Sequence, residues 1–396
     1  MQHKAARLPR TVWALGLVSL FMDASSESIH ALLPLFLTTT LGASVATVGL
    51  IDGVAEAVAS FAKMVSGYLS DRFGRRKPLV LLGYGLAALS KPLFPLATSA
   101  ATVFAARFVD RIGKGLRGAP RDALVADVTP PEMRGRAFGL RQALDTAGAF
   151  IGPLAAIGLM AAFADNMRLV FWIAAIPALL AVVCVLIGVE DRAAPVPKSA
   201  ARAPLRLAEL KRLPPDFWRI IAVAVVFMLA RFSEAFLVLK AHAAGLSLAL
   251  APLVLVAMNV VYAAGSYPAG AWADRSPAPR LLMAGLACLI AADLSLALAS
   301  GIGAAFAGIA LWGAHMALTQ GLLSKLVAER APADLRGSAF GVFYLLTGAA
   351  TLVSSVVAGL LWDWHGPGAT FVAGAAFAAL ATALVLWVHV RRAKPR

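Results

Sequence analysis

Apolar residues dominate this chain in long blocks, and short polar, basic segments separate the blocks. Each block approaches the ~20 residues needed for a helix to cross a ~30 Å hydrocarbon core. The pattern predicts spans near 12–38, 46–70, 78–97, 101–126, 137–162 and 168–188. A second set is predicted near 217–241, 248–271, 279–299, 303–328, 337–361 and 368–390. Six spans are followed by six. Residues 189–216, VEDRAAPVPKSAARAPLRLAELKRLPPD, are the one long polar stretch, and their Pro, Ala and basic residues mark a linker. Its RLAELKRL segment is expected to form a short amphipathic helix on the membrane surface. The domain organisation expected is therefore 1–188, a linker at 189–216, and 217–396.

The halves repeat. PPEMRGRAFG at 130–139 matches PADLRGSAFG at 332–341, and GYLSDRFGRRKPL at 67–79 returns in degraded form as GAWADRSPAPR at 270–280. Shared polar loop residues are not produced by apolar composition alone. Parallel six-span halves are one way that membrane transporters build a binding site at the bilayer midplane.

Composition agrees with a membrane protein: of 396 residues, 60% are hydrophobic and only 14% charged. A net charge of +15 would suit a nucleic-acid binder, but the positions of the charges reject that reading. Arg and Lys crowd into alternate loops, and the loops near 39–45, 98–100 and 300–302 carry none. By the positive-inside rule both termini and the central linker are cytoplasmic, in a multi-pass protein of the cell (inner) membrane. The basic loops are expected against anionic headgroups of the lipid bilayer. Residues 1–11 are too short and basic for a signal peptide, so the first span is expected to be retained. Cys184 and Cys288 lie inside spans and indicate neither a disulfide framework nor a metal site.

The loop pattern Gly67-x-x-x-Asp71-Arg72-x-Gly74-Arg75-Arg76 resembles the loop between the second and third spans of the major facilitator superfamily of secondary transporters. The resemblance implies an all-α membrane fold of two pseudo-symmetric six-helix bundles around a central cavity. It also implies that this loop gates the transporter by charged contacts that latch the outward-facing state. Gly67 and Gly74 are expected to allow close helix approach and a tight turn. The second-half loop keeps Gly270, Asp274 and Arg275 but loses most of the basic cluster, so its latch is expected to be weaker.

Ionisable residues inside spans cost about 2.5–3.5 kcal/mol each and mark function by default. In the first span Asp23, Glu27 and His30 share one helix face by their spacing. In the fourth span Arg107, Asp110, Lys114, Arg117 and Arg121 form one stripe, with Arg111 beside it. Such a stripe must line a wet cavity or pair with other charges. Asp110–Lys114 and Arg141–Asp145 could be internal i,i+4 pairs, but the cations outnumber the acids. Arg231 and Glu234 lie near the middle of the seventh span, and His315 and Gln320 in the tenth. In the superfamily the first, fourth, seventh and tenth spans surround the cavity. Arg111, Lys114, Arg117, Arg121, Arg141, Arg231, His315 and Gln320 are thus the expected cavity residues.

Arg111-x-x-Lys114-Gly115, continuing to Gly118-Ala119, resembles the fourth-span motif of proton-coupled members, with Arg117 where a small residue is usual. Gly139, Gly148, Gly152 and Pro153 resemble the fifth-span motif of antiporters, although Ala156 and Ile157 replace its final glycine pair. Ordinary helix packing by small residues is the simpler explanation of those glycines.

A desolvated carboxyl exchanges protons nearer to neutral pH than one in water. Glu27 ranks first as proton carrier, Asp23 second and Glu234 third, with His30 a further candidate; a fixed salt bridge from Glu27 to Arg117 or Arg231 would instead make it structural. Arg and Lys in excess suit a substrate with carboxylate or phosphate oxygens. The expected activity is proton-driven export of a small anionic or zwitterionic organic solute, by a monomer without cofactor or metal. Proton-coupled uptake uses the same residues. A non-transporting receptor or scaffold would show eroded cavity charges and a large extra domain, and neither is seen. No nucleophile–base pair, metal cluster or phosphate loop indicates an enzyme or an ATP-driven pump; GKG at 113–115 lacks the rest of a P-loop.

Overall fold

The computed structural model describes residues 8–73, 75–190, 212–319, 322–332 and 335–393. The helices are α1 (Arg10–His30), α2 (Val45–Phe73), α3 (Lys77–Ser90), α4 (Ala100–Val128), α5 (Arg134–Ala162), α6 (Met167–Gly188) and α7 (Pro215–Ala230). They continue with α8 (Ala235–Ala243), α9 (Leu253–Arg275), α10 (Ala278–Leu298), α11 (Ile302–Thr319), α12 (Leu322–Arg330), α13 (Arg336–His365) and α14 (Pro367–Ala393). No strand occurs among the described residues.

Ten of these segments are long and apolar enough to cross a membrane, against the twelve spans expected. The two expected spans outside that set are those of α1 and α4, the helices that carry the embedded charges. Their charge and lower mean hydropathy set them apart from the others. Both are nevertheless 21 and 29 residues long, and at about 1.5 Å per residue α4 is long enough to span.

Several predicted spans are broken, the third among them, which ends as a regular helix at Ser90 and resumes at Leu93–Leu96. The first ends as a regular helix at His30 and continues as a helical turn at Leu33–Leu35 and a wider turn at Phe36–Thr40. The seventh is interrupted between Ala230 and Ala235, so Arg231 and Glu234 lie at a break, not in mid-helix. The tenth is described as α11 and α12, and residues 320–321 between them, Gln320 included, lie outside the described residues. Helix starts have local causes: Ser99 Oγ accepts from Thr102 N at α4, and Asn166 Oδ1 from Leu169 N at α6.

The chain forms two compact units. Unit 1 comprises Met1–His30 and Val58–Ala203, and unit 2 comprises Ala31–Ala57 and Pro204–Arg396. The first part of α2 therefore packs with unit 2. In unit 1, α1 packs against α5 and α6, and α3 packs against α4 and α6. Val12, Leu15, Val18 and Met22 of α1, Tyr84 of α3, and Leu124 and Val125 of α4 form its apolar core. In unit 2, α10 packs on α11 and α14, α9 on α11, and α7 on α13 and α14. Asp363, at the end of α13, accepts from the backbone N–H groups of Val45 and Ala46 at 3.0 and 2.9 Å. It thereby caps the start of α2, where free N–H groups favour a carboxylate.

Candidate functional site

The embedded charges of unit 1 gather on α1, α3, α4 and α5 in three groups. The deepest centres on Asp110. Its Oδ1 takes the Lys91 ammonium at 2.9 Å, and its Oδ2 takes Arg111 Nη2 at 3.0 Å. Arg107 Nη1 lies 4.0 Å from the same oxygen. Lys91 also donates to Ser26 Oγ at 2.9 Å. Lys91, Arg107, Asp110 and Arg111 are all buried. The expected Asp110–Lys114 pair is not the one formed, because Lys91 reaches across from the end of α3 while Lys114 is exposed.

The second group is half-buried. Arg121 bonds Asp122 at 3.1 Å, approaches Asp145 at 3.6 Å, and donates to Ser19 Oγ at 3.1 Å. Arg141 reaches Asp145 at 3.5 Å, as expected from their spacing, and Asp122 at 3.8 Å. Arg117 is buried, with its guanidinium carbon 4.7 Å from the centre of the Tyr84 ring. That stacking is a favourable cation–π geometry.

The third group holds the acids of α1. Glu27 Oε2 is 3.5 Å from His30 Nδ1. This contact carries charge on both sides only when His30 is protonated, and the alternative salt bridge from Glu27 to Arg117 is not formed. The Asp23 carboxyl faces that of Asp145 on α5, with Lys114 and Arg117 acting on it electrostatically. Lys114 also acts on Glu27, and it forms no ion pair among the described residues. The α4 stripe thus divides: Arg107, Asp110 and Arg117 turn into the unit, and Lys114 stays accessible beside the α1 acids.

The fifth-span glycines divide too. A Cβ on Gly152 would come 2.6 Å from Ala24 O, and one on Gly148 would meet the backbone of Leu20, so both seat α5 against α1. Ser28 Oγ lies 2.7 Å from Ala24 O and 2.8 Å from Gly152 O, just before Pro153. Around Gly139 the space is open, so it serves no packing role. Gly152→Ala is therefore expected to cost about 1–3 kcal/mol by overpacking, with Gly139→Ala close to neutral. Thermal unfolding of the two purified variants in detergent checks this contrast.

At the motif loop, Arg76 Nε pairs with Asp127 at 2.6 Å and its Nη1 donates to Ser70 Oγ at 3.4 Å, tying the loop to the far end of α4. Arg75 and Arg275 are exposed. Gly67 is not sterically required: a Cβ there would meet Ala119 at an ordinary 3.6 Å, and Gly270 faces open space. Gly74 and the side chains of Asp71, Arg72 and Asp274 lie outside the described residues.

Unit 2 brings the remaining candidates together differently. His315 is fully buried, with Nδ1 3.1 Å from Gly285 O and its ring packed on Phe227 and Trp312, as a packing residue would be. At the break before α8, Ser233 Oγ donates to Asp52 at 2.7 Å, Ser233 N donates to Ser355 Oγ at 3.2 Å, and the Arg231 carbonyl faces Ser354. No group of three or more His, Cys, Asp or Glu suited to a metal ion occurs among the described residues.

Sequence reasoning missed Lys91, Asp52 and Asp293. All three lie within predicted spans, so the rule that marked α1 and α4 would have found them.

The model of the Major Facilitator Superfamily matches residues 15–258 and 235–396. An MFS-type transporter of Methanocaldococcus jannaschii is 29% identical over 389 residues, covering 96% of this chain and 95% of that protein. The multidrug resistance protein MdtH of Salmonella typhi is 26% identical over 332 residues, 82% of this chain and 79% of its own. Among solved structures, a POT family transporter aligns with a TM-score of 0.75 at 15% identity, covering 96% of each chain. The human organic anion transporter MFSD10 aligns with a TM-score of 0.64 at 20% identity, over 95% of this chain and 99% of that one.

Proposed function

This chain belongs to the major facilitator superfamily of transporters, and we propose that it is a proton-coupled exporter of a small organic anion or zwitterion, working by alternating access. It works as a single chain in the cell membrane with both termini in the cytoplasm, in keeping with its alternating basic loops. Its two functional halves are residues 1–188 and 217–396, joined by the linker, in keeping with the repeated loop motifs.

The carrying observation is the neighbourhood of Asp23. Two facing carboxyls repel when both are ionised, and because Asp145 is already paired with Arg121 and Arg141 a proton added to the two falls to Asp23. Asp23 and Asp145 face each other in this way, while Glu27 is engaged with His30. This supports Asp23, ahead of Glu27, as the proton carrier. Lys114, accessible and unpaired among the described residues, supplies the positive charge next to both acids. A zwitterionic solute that sets its carboxylate on Lys114 and its ammonium on the ionised Asp23 is displaced when Asp23 takes up a proton. Solute and proton therefore occupy the site in turn and cross in opposite directions.

Export is the direction supported by the named multidrug resistance relatives. The deeper cations belong to the Asp110 network and hold the helices together, so they are not substrate contacts in this reading. The motif loop acts as the gate, a role supported by the tie from Arg76 to Asp127.

Lys114→Gln tests the substrate contact. A charged hydrogen bond contributes about 1.5–3 kcal/mol, so affinity for an anionic substrate should fall roughly 10- to 150-fold while folding is unchanged. A panel of carboxylates, phosphates and amines is screened for thermal stabilisation of wild type and variant. Stabilisation by amines alone, unaffected by the substitution, would defeat the anion assignment.

A further inference from the structure

One carboxyl group in unit 2 has no part in this mechanism. Asp293 lies on the inward stripe of α10, in line with Leu286, Leu289 and Leu296. It is 0% exposed, and neither Oδ1 nor Oδ2 has a hydrogen-bond partner among the described residues. Facing it on α14 is Gly374, where a Cβ would come 2.6 Å from Asp293 Oδ2 and 2.9 Å from Phe232 Cε1. The missing side chain is what makes room for the acid. The rest of the surroundings are aromatic: the Phe232 ring centre lies 5.3 Å from that of Trp312 and 5.5 Å from that of Phe371.

An ionised carboxylate in such a place would lose its hydration without any compensating partner. That penalty is large enough for the group to neutralise instead. The charged and titratable groups on the elements around α10 do not relieve it. His315 on α11 bonds Gly285 O, eight residues and about 12 Å along α10. Arg231 and Glu234 flank the α8 break, Tyr262 lies on α9, and Lys325 and Glu329 lie on α12. Neither Asp293 oxygen hydrogen-bonds to any of them. A leucine would continue the stripe without cost. A carboxyl with no partner, in a space cleared by a glycine, is built to hold a proton and not a salt bridge.

We propose that Asp293 is a proton-binding site of unit 2, neutral in the conformation described here and sealed from water by the α10–α14 seam. When the seam wets, the carboxyl O–H bond breaks, the proton passes to a water molecule, and the carboxylate keeps the electron pair. Reprotonation reverses these steps. The site is separate from the α1 acids, and it does not rest on the proposed transport reaction.

Infrared spectroscopy of the full chain in lipid at neutral pH provides the test, because it reads the carboxyl whether or not a pH gradient drives transport. The wild type should show the C=O stretch of a protonated aspartate that Asp293→Asn lacks. On transfer to D2O that band should move to its deuterated position only slowly. A wild-type-minus-variant difference containing a carboxylate band in place of the protonated C=O stretch overturns the proposal. Immediate exchange in D2O overturns the sealed pocket. Should the asparagine variant not fold, Asp293→Ser gives the same comparison, with the same two outcomes decisive.

Discussion

Asp23→Asn should reduce pH-driven accumulation of substrate in liposomes to the level of protein-free vesicles while leaving substrate counterflow intact. Asparagine keeps the shape and hydrogen-bonding capacity of the side chain and removes its proton. Net transport driven by a pH gradient needs that proton to load and unload once per cycle. Exchange of substrate for substrate returns the carrier in the same protonation state and does not need it. Glu27→Gln should retain part of the driven accumulation, since Glu27 is held by His30 at 3.5 Å. Both activities are measured in the same vesicles. Full driven accumulation by Asp23→Asn would remove Asp23 as carrier and return Glu27 to first place; joint loss of both activities would make Asp23 structural.

The second large effect concerns Asp110. Its carboxylate is the common partner of Lys91 and Arg111, with Arg107 at the margin, all away from water. Removing one member of a buried ion pair strands the other, at a typical cost of about 3–5 kcal/mol. Asp110→Asn should therefore lower thermal stability sharply or prevent accumulation of folded protein. Lys91→Met combined with Asp110→Leu, which removes both charges of the closest pair, should recover part of the loss. Denaturation in detergent and the yield of monodisperse protein measure both. Wild-type stability in Asp110→Asn would show that the network is not structural and bring its cations back as substrate contacts.

Much of this was legible before any coordinates. Apolar blocks have the length of spans, and a span with a charged stripe must bury that stripe, so the class of the protein and the polar faces of α1 and α4 followed from spacing alone. The partners did not. Lys91 and Asp110 are 19 residues apart on different helices; helical periodicity orders residues within one helix and says nothing about which helix faces which. The Arg141–Asp145 pair was readable because it lies within one helix. Pro34 announces the break at 31–32, since it lacks the N–H that His30 O would accept, but the break at 231–234 has neither proline nor glycine. At the second, Ser354 and Ser355, distant in sequence, take up backbone hydrogen bonding that the interrupted helix gives up, and Asp52 accepts from the Ser233 hydroxyl. The glycines misled in part for the same reason. Gly152 and Gly148 meet α1 and Gly139 meets nothing, a distinction that depends on which face of α5 is covered.

The central claim is that proton movement and solute movement are linked in one cycle. The most direct measurement uses the purified wild-type chain in sealed liposomes with a pH-sensitive dye trapped inside and no imposed gradient. The carboxylates and zwitterions that stabilise the protein thermally are added outside. Coupling predicts an internal pH change that begins with substrate addition, scales with the amount of protein and collapses with a protonophore. Flux of labelled substrate at an unchanged internal pH, and of equal size with or without a pH gradient, would contradict it.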